Sequence, residues 1–286
     1  MRDCRRFRLR VDPIDLDMTL GCGQTFRWAR GDDGSWTGVV GEDVLRLTES
    51  DDGVAAESLF GDPRSDKALS TYLRASDDIE EIQRALSSDE VLSRGFSRVR
   101  GLRLVKMDEW ECLISYALAT YANIPRIAKM IESLSSTFGK NIGGGVHAFP
   151  SVDELGGASE EDLAGCGLGY RAAYVRGICG SVDTRTVADM RRLPYPELRE
   201  RLKSLPGVGD KVADCVSLFG FGRLEAFPID VWIQRAVLRL YGVRGSYAKV
   251  GGFARDRFGG FAGYAQEYLF FNERMLSPEG RCIFSE

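Results

Sequence analysis

The chain has 286 residues, 44% hydrophobic and 28% charged, the make-up of an ordinary globular protein with one large domain or two smaller ones. Its net charge of −4 does not advertise a nucleic-acid binder, but residues 1–100 balance at −5 and residues 101–286 at +1. A basic face on the larger part is therefore compatible with the composition. No stretch approaches the roughly 20 uninterrupted apolar residues of a membrane span. The polar start Met1-Arg2-Asp3-Cys4-Arg5-Arg6 lacks the apolar run of a secretory signal, so an intracellular protein is expected.

In chain order, the first part reads as strands and turns. Arg6–Val11 alternates basic and apolar side chains, Thr25–Arg30 carries aromatics, and Ser35–Val40 and Asp43–Leu47 are short β-prone runs. Gly31-Asp32-Asp33-Gly34 and Gly41-Glu42 supply turns between them, which predicts an antiparallel meander. Helical spacing over Lys67–Leu73 and Asp78–Leu86 completes a small α+β unit with an expected boundary near residue 100. From Asp108 onward the pattern is helical: Glu109–Ala119, then Ile124–Phe138 with Asn123 as its cap and Pro125 in its first turn. Gly139–Pro150 is expected as a flexible break. Ser159-Glu160-Glu161-Asp162 resembles a helix start and Gly165–Gly169 a stop. Arg171–Cys179, Tyr195–Lys203, Lys211–Phe219, Val231–Tyr241 and Tyr264–Leu276 complete a helical bundle. The expected fold is thus α+β, an N-terminal antiparallel sheet domain (1–100) packed on a mainly helical one (101–286).

The seven cysteines (4, 22, 112, 166, 179, 215, 282) are odd in number and scattered, with no Cys-x-x-Cys pair. Reduced, mostly buried thiols fit better than a disulfide framework, a zinc site or an iron–sulfur cluster. The lone histidine, His147, removes Ser–His–Asp and Cys–His mechanisms unless it serves itself. Its setting, Gly143-Gly144-Gly145-Val146-His147, predicts a solvated loop residue.

The densest signal is Leu205-Pro206-Gly207-Val208-Gly209-Asp210-Lys211, with Asp230 nineteen residues beyond the lysine in Phe227-Pro228-Ile229-Asp230-Val231-Trp232. Leu193–Lys203, this glycine-rich turn and the helix from Asp210 form a helix–hairpin–helix unit. Such a unit binds one DNA strand without regard to sequence, through backbone N–H groups and the helix dipole. A tight turn between helices would explain the glycines equally well. The lysine either touches phosphate or attacks carbon, and the turn alone does not decide.

Gly207–Asp230 resembles the signature of the helix–hairpin–helix/Gly-Pro-Asp superfamily of base-excision DNA glycosylases, and Leu205–Cys215 is very close to its 8-oxoguanine DNA glycosylase family. Cys22-Gly23-Gln24-Thr25-Phe26-Arg27-Trp28 resembles that family's Ser-Gly-Gln-Ser-Phe-Arg-Trp segment. Gly167-Leu168-Gly169-Tyr170-Arg171-Ala172 and Gly263-Tyr264-Ala265-Gln266, followed by Phe270, are two further matches in the family's order. The resemblance spans essentially the whole chain.

It implies a bifunctional enzyme that removes 8-oxoguanine from duplex DNA, preferably opposite cytosine, and nicks the strand. Lys211 would be the nucleophile at C1′ and would form a Schiff base, a role that suits a neutral lysine. Asp230 would cap the following helix and stabilise positive charge on the sugar. Gly23 would offer its carbonyl to N7–H of the lesion, Gln266 would bond the Watson–Crick edge, and Cys215 and Phe270 would sandwich the base. For the DNA, Gly207 and Gly209 would hold the strand. Tyr170, Arg171 and Arg126 match a tyrosine and two arginines at the orphaned cytosine. Two departures stand out: the family's wedge asparagine is here Tyr121, which predicts relaxed opposite-base selectivity, and the histidine that follows the aspartate in eukaryotic members is here Trp232. Trp28, Phe26, Trp36 and Trp110 are expected as core. The family further implies a monomer, no iron–sulfur cluster or metal cofactor, and at most a monovalent cation on the turn carbonyls of Leu205–Gly209.

Two alternatives compete. Another glycosylase of the superfamily would bring either four spaced cysteines or no such lysine. A non-catalytic helix–hairpin–helix module would explain the turn but not the joint occurrence of Lys211, Asp230 and the Gly23 segment.

Overall fold

The computed structural model describes residues 5–60 and 65–276. Five antiparallel strands, β1 (Arg5–Arg10), β2 (Trp28–Arg30), β3 (Trp36–Val40), β4 (Asp43–Ser50) and β5 (Gly53–Phe60), form a sheet in the order β1-β5-β4-β3-β2. The expected meander is present, and β5 is added to it. The run Gly53-Val54-Ala55-Ala56 is too poor in β-branched residues to announce a strand, yet it zips between β4 and β1. Leu45, Leu47 and Val54 point inward and are fully buried. A helix at Leu16–Gly21, capped by the Asp15 side chain, also escaped the sequence reading.

The helices Ser65–Tyr72 and Ile79–Leu86 lie where their spacing predicted, the second capped by Asp78. An extended segment then crosses to the helical part. Arg103 anchors it while buried at 0% exposure: its guanidinium donates to the carbonyls of Leu73, Pro13, Arg74 and Asp77 at 2.7–3.3 Å. A buried guanidinium is tolerated only when its donors are used up in this way. The hydrophobic core is one continuous cluster from Val11 to Phe271, passing through both halves.

In the helical part, Glu109–Leu118, Ile124–Phe138, Arg171–Cys179, Tyr195–Lys203 and Val231–Tyr241 form as spaced. Short helices at Val152–Gly156 and Thr184–Met190 and a longer one at Tyr247–Phe258 are additional. The last contains Gly251-Gly252, which lowers its intrinsic propensity. Burial of Val250, Ala254 and Phe258 and the Ser246 cap outweigh that. Gly139–Pro150 is not a break throughout. Asn141–Gly143 pairs with Val146–His147 in a two-stranded ribbon, and the His147 carbonyl accepts from Arg27 Nη2 at 2.5 Å. His147 is half-buried rather than solvated, because the ribbon folds back onto the first domain.

The expected core aromatics Trp36 and Trp110 are buried, and Trp28 and Phe26 pack against the core. Cys22, Cys112, Cys166 and Cys215 are buried free thiols and Cys179 is half-buried, whereas Cys4 and Cys282 lie outside the described residues. Among the described residues no helix is long and apolar enough to cross a membrane.

Candidate active site

The hairpin follows from three local facts. The helix Tyr195–Lys203 ends at Ser204, Leu205 turns inward, and the Val208 amide donates to the Leu205 carbonyl at 3.2 Å. That bond engages within the turn one of the carbonyls considered for a cation. Gly207 has φ +74°, and a Cβ there would lie 2.4 Å from Cγ of Tyr174, so no larger residue fits. Gly209 has φ −90° with open space around it, and as N-cap it supplies no side-chain oxygen to the helix Asp210–Cys215. The first amides of that helix are left for an external acceptor.

Lys211 and Cys215 lie one turn apart on this helix and face a cavity lined also by Gly23, Gln24, Tyr116, Phe219, Pro228, Asp230, Gln266, Glu267 and Phe270. All six residues expected for catalysis and base binding therefore converge on one space, from widely separated stretches of chain. Lys211 Nζ lies 5.1 Å from the Tyr116 ring centroid, and its charge is near enough to the Cys215 thiol to favour ionisation of that thiol. Among the described residues no carboxylate lies within ion-pair distance of it. Burial pushes the Cys215 thiol up to about 12, so it remains protonated beside the amine. The Tyr116 ring stacks on Phe219 (5.6 Å, 9°) and forms an aromatic wall.

Asp230 is extended (φ −104°), and its Oδ1 accepts from the Trp232 and Ile233 amides, both at 2.9 Å. It thus caps Val231–Tyr241 while its carboxylate borders the cavity beside Lys211.

Gly23 is held from two sides. The buried Gln24 next to it uses its whole amide: Nε2 donates to the Thr19 and Arg103 carbonyls, both at 2.8 Å, and Oε1 accepts from Val105 N at 2.9 Å. Arg274 Nη1 donates to the Cys22 carbonyl, and its guanidinium stands 5.6 Å from the Phe270 ring. Gly23 itself has φ +101°, and an added Cβ would fall 2.2 Å from Ile124 Cδ1. The N-terminal domain in this way delivers a bare backbone to the cavity of the helical one.

The residues expected at the DNA surface divide. Tyr121, at φ +51° and 94% exposed, projects from the turn before Ile124–Phe138, and Arg126 is exposed in that helix's first turn. Tyr170 is half-exposed and donates its hydroxyl to the Thr120 carbonyl at 3.0 Å. Arg171 does not project. It is 1% exposed and spends Nε (3.0 Å) and Nη2 on that same Thr120 carbonyl and Nη1 on Leu168 O (3.5 Å), stacked 4.5 Å from the Tyr170 ring. Tyr170 in turn meets Tyr174 edge-on at 5.7 Å, which joins the Tyr121 turn to Gly207 of the hairpin.

Sequence reasoning missed Tyr116, Phe219 and Glu267. The first two look like ordinary core positions. Glu267 carried a signal, since Gln266-Glu267 interrupts an otherwise apolar helix, Ala262–Phe271. Its carboxyl is 2% exposed, and burial with the nearby Asp230 charge pushes it up to about 7, against the Cys22 thiol and Arg274. Among the described residues no group of three or more His, Cys, Asp or Glu could hold a metal.

With this geometry in view, comparison with known proteins is specific. Residues 6–113 match the model of the 8-oxoguanine DNA glycosylase N-terminal domain, and residues 115–251 that of the HhH-GPD superfamily of base excision DNA repair proteins. The chain is 31% identical to an N-glycosylase/DNA lyase of Arabidopsis thaliana, over 91% of this chain and 77% of the relative. It is 36% identical to a probable N-glycosylase/DNA lyase of Methanothermobacter thermautotrophicus, over 69% and 71%. In three dimensions it is similar to the Clostridium acetobutylicum 8-oxoguanine glycosylase/lyase solved with double-stranded DNA containing cytosine opposite 8-oxoG. That likeness has TM-score 0.85 and 31% identity and covers 95% of each chain.

Proposed function

This chain belongs to the 8-oxoguanine DNA glycosylase family of the HhH-GPD superfamily, and from that premise we propose how its own residues perform the reaction. It is a DNA glycosylase with lyase activity that acts on 8-oxoguanine in base excision repair. Its partner is duplex DNA bearing that lesion. The observation that carries the assignment of roles is the convergence of Lys211, Asp230, Gly23, Cys215, Gln266 and Phe270 on one cavity.

The hairpin holds the strand: the uncapped amides behind Gly207 and Gly209 donate to a backbone phosphate. The flipped base enters between Cys215 and Phe270, with Gly23 offering its carbonyl to N7–H and Gln266 meeting the Watson–Crick edge. Neutral Lys211 attacks C1′, the N-glycosidic bond breaks, and its electron pair leaves with the base, which takes up a proton. The Asp230 carboxylate stabilises the positive charge that develops on the sugar. Ring opening gives the Lys211 imine, loss of a C2′ proton expels the 3′ phosphate, and water returns the lysine. Lys211 suits attack rather than phosphate binding because it faces the cavity with Cys215, without an ion-pair partner among the described residues, while the hairpin amides face the strand.

On the opposite strand, Tyr121 fills the hole and Arg126 bonds the orphaned base. Arg171 acts indirectly, bracing the Thr120 carbonyl from which Tyr121 projects. Cytosine remains the preferred partner, with selectivity reduced because a tyrosine lacks the amide that would bond it.

The test is incubation with a duplex carrying 8-oxoguanine opposite cytosine in the presence of borohydride. A covalent adduct is expected, and in Lys211→Gln both adduct and nicking fall on the order of 1,000-fold or more. A wild-type protein that neither forms an adduct nor nicks the strand would overturn the lyase chemistry.

A further inference from the structure

The cavity holds a feature that the roles above leave unused. Gln266 and Glu267, at 5% and 2% exposure, line it, and each has a buried side-chain oxygen, Oε1, without any hydrogen-bond partner. Several of the polar groups around them are committed elsewhere. Gln24 makes its three bonds to backbone, the Tyr116 hydroxyl donates to the Gln24 carbonyl at 3.0 Å, and Asp230 Oδ1 holds two amides. Native proteins leave few buried polar atoms unsatisfied, and each unsatisfied one calls for an explanation. The Cys22 thiol is the near polar neighbour of the Glu267 carboxyl, but its Oε1 stays without a partner, and a buried carboxyl oxygen left so is costly.

We infer that Glu267 is a second reader of the flipped base, accepting with Gln266 from the adjacent N1–H and 2-amino donors of a guanine-type edge. The inference rests on the glycosylase reading above and extends it to a residue for which that reading supplies no role. Two unpartnered acceptors answer in number to those two donors, and a carboxylate makes its bond charge-assisted. An adenine-type purine would set its N1 acceptor against one of them, so the same pair rejects it. Position supports the assignment: Glu267 lies on the helix turn that carries Gln266 and Phe270, with the Cys22 thiol, Asp230 and Arg274 as its polar neighbours.

The experiment compares 8-oxoguanine with 8-oxohypoxanthine, which keeps N1–H and the C8 oxygen but lacks the 2-amino group. Single-turnover base excision is measured for the wild type, Glu267→Ala and the near-isosteric Glu267→Gln, with nicking of a preformed abasic site as internal reference. Glu267→Ala is expected to lower excision of 8-oxoguanine relative to nicking by roughly 10- to 100-fold, with a clearly smaller loss on 8-oxohypoxanthine. Glu267→Gln, which keeps a neutral acceptor, falls between. Equal losses on the two bases, or excision and nicking falling together in both variants, would overturn the inference and make Glu267 a support for Lys211 or for the fold. An unchanged 8-oxoguanine rate in both variants would also overturn it. A wild-type enzyme inactive on both the lesion and the abasic site would instead overturn the glycosylase/lyase reading.

Discussion

The helix that begins at Asp210 has two faces, and they treat polar groups in opposite ways. On one face Asp214, at 0% exposure, is saturated: Oδ1 accepts from the Tyr195 hydroxyl (2.7 Å) and Arg199 Nε (2.9 Å), and Oδ2 from the Tyr247 hydroxyl (2.6 Å). Arg199 also reaches Asp210 one turn back, with Nη2 at 2.7 Å from its Oδ1, and its guanidinium lies 5.7 Å from the Tyr247 ring. On the other face Lys211 and Cys215 look into a cavity across which Glu267 and Gln266 have acceptors with no partner. The saturated face ties three helices together, Tyr195–Lys203, Asp210–Cys215 and Tyr247–Phe258. The unsaturated one, on the role proposed for Glu267, receives its missing donors from the substrate. Both sets of groups are buried, so burial does not separate architecture from function here, whereas satisfaction does.

This contrast can be broken most decisively from its saturated side. Asp214→Ala leaves two tyrosine hydroxyls and Arg199 Nε without their acceptor, while Asp210 still pairs with the guanidinium, and a loss of about 3–5 kcal/mol is expected. For a chain of this length that corresponds to a drop in Tm on the order of 10 °C, checked by thermal unfolding. A change within experimental error would show that the cluster is not a structural lock, and the distinction between the two faces would fall with it.

Glu267→Gln should act in the opposite direction. Burial raises the Glu267 carboxyl to about 7 from the usual 4.5, and its neighbours divide: Asp230 opposes ionisation while Arg274 and the Cys22 thiol favour it. An acid whose folded pKa is raised stabilises the fold fully below the unfolded value, and that contribution is lost as pH climbs through the folded value. The window is therefore about pH 4.5 to 7. Above it the wild type carries an ionised buried carboxylate and the glutamine variant does not. At pH 8 the variant is expected to be more stable on the order of 1–3 kcal/mol, with the difference vanishing near pH 4.5. Greater stability together with slower excision would mark a group kept for substrate rather than for the fold. A variant destabilised at pH 8 would place Glu267 with Asp214 among the structural acids.

How far the sequence discloses these two faces depends on the physics of each residue. The hairpin was legible because Pro206, Gly207 and Gly209 cluster between two helical patterns, and Asp230 because it stands at the start of the next one. Gly23, Cys215, Gln266 and Phe270 were legible only through family resemblance, since each alone reads as turn or core. The Asp214 cluster was not legible. Its partner Tyr247 begins a helix whose paired glycines hide it, and its bonds join residues up to 33 positions apart. Nor was the burial of Arg171, because nothing local shows that Thr120 will present its carbonyl to it. Glu267 was readable as a charge inside an apolar helix, but its missing partner is a property of three-dimensional packing.

The smallest expected effect concerns Tyr121, where the comparison extends to the protein surface. Its backbone occupies the left-handed region at φ +51°, held there by Tyr170 and Arg171 on the preceding carbonyl. A bulky residue adopts that conformation at some cost, and asparagine adopts it more readily. Tyr121→Asn should therefore keep the turn and exchange a stacking ring for an amide able to bond the orphaned base. Relative excision opposite the four bases measures the consequence. The variant should prefer cytosine over the other three by roughly 3- to 10-fold more than the wild type does, the size of one neutral hydrogen bond. A wild type already strict for cytosine would show that Arg126, with Arg171 bracing the turn, suffices for selectivity and that the wedge contributes shape alone.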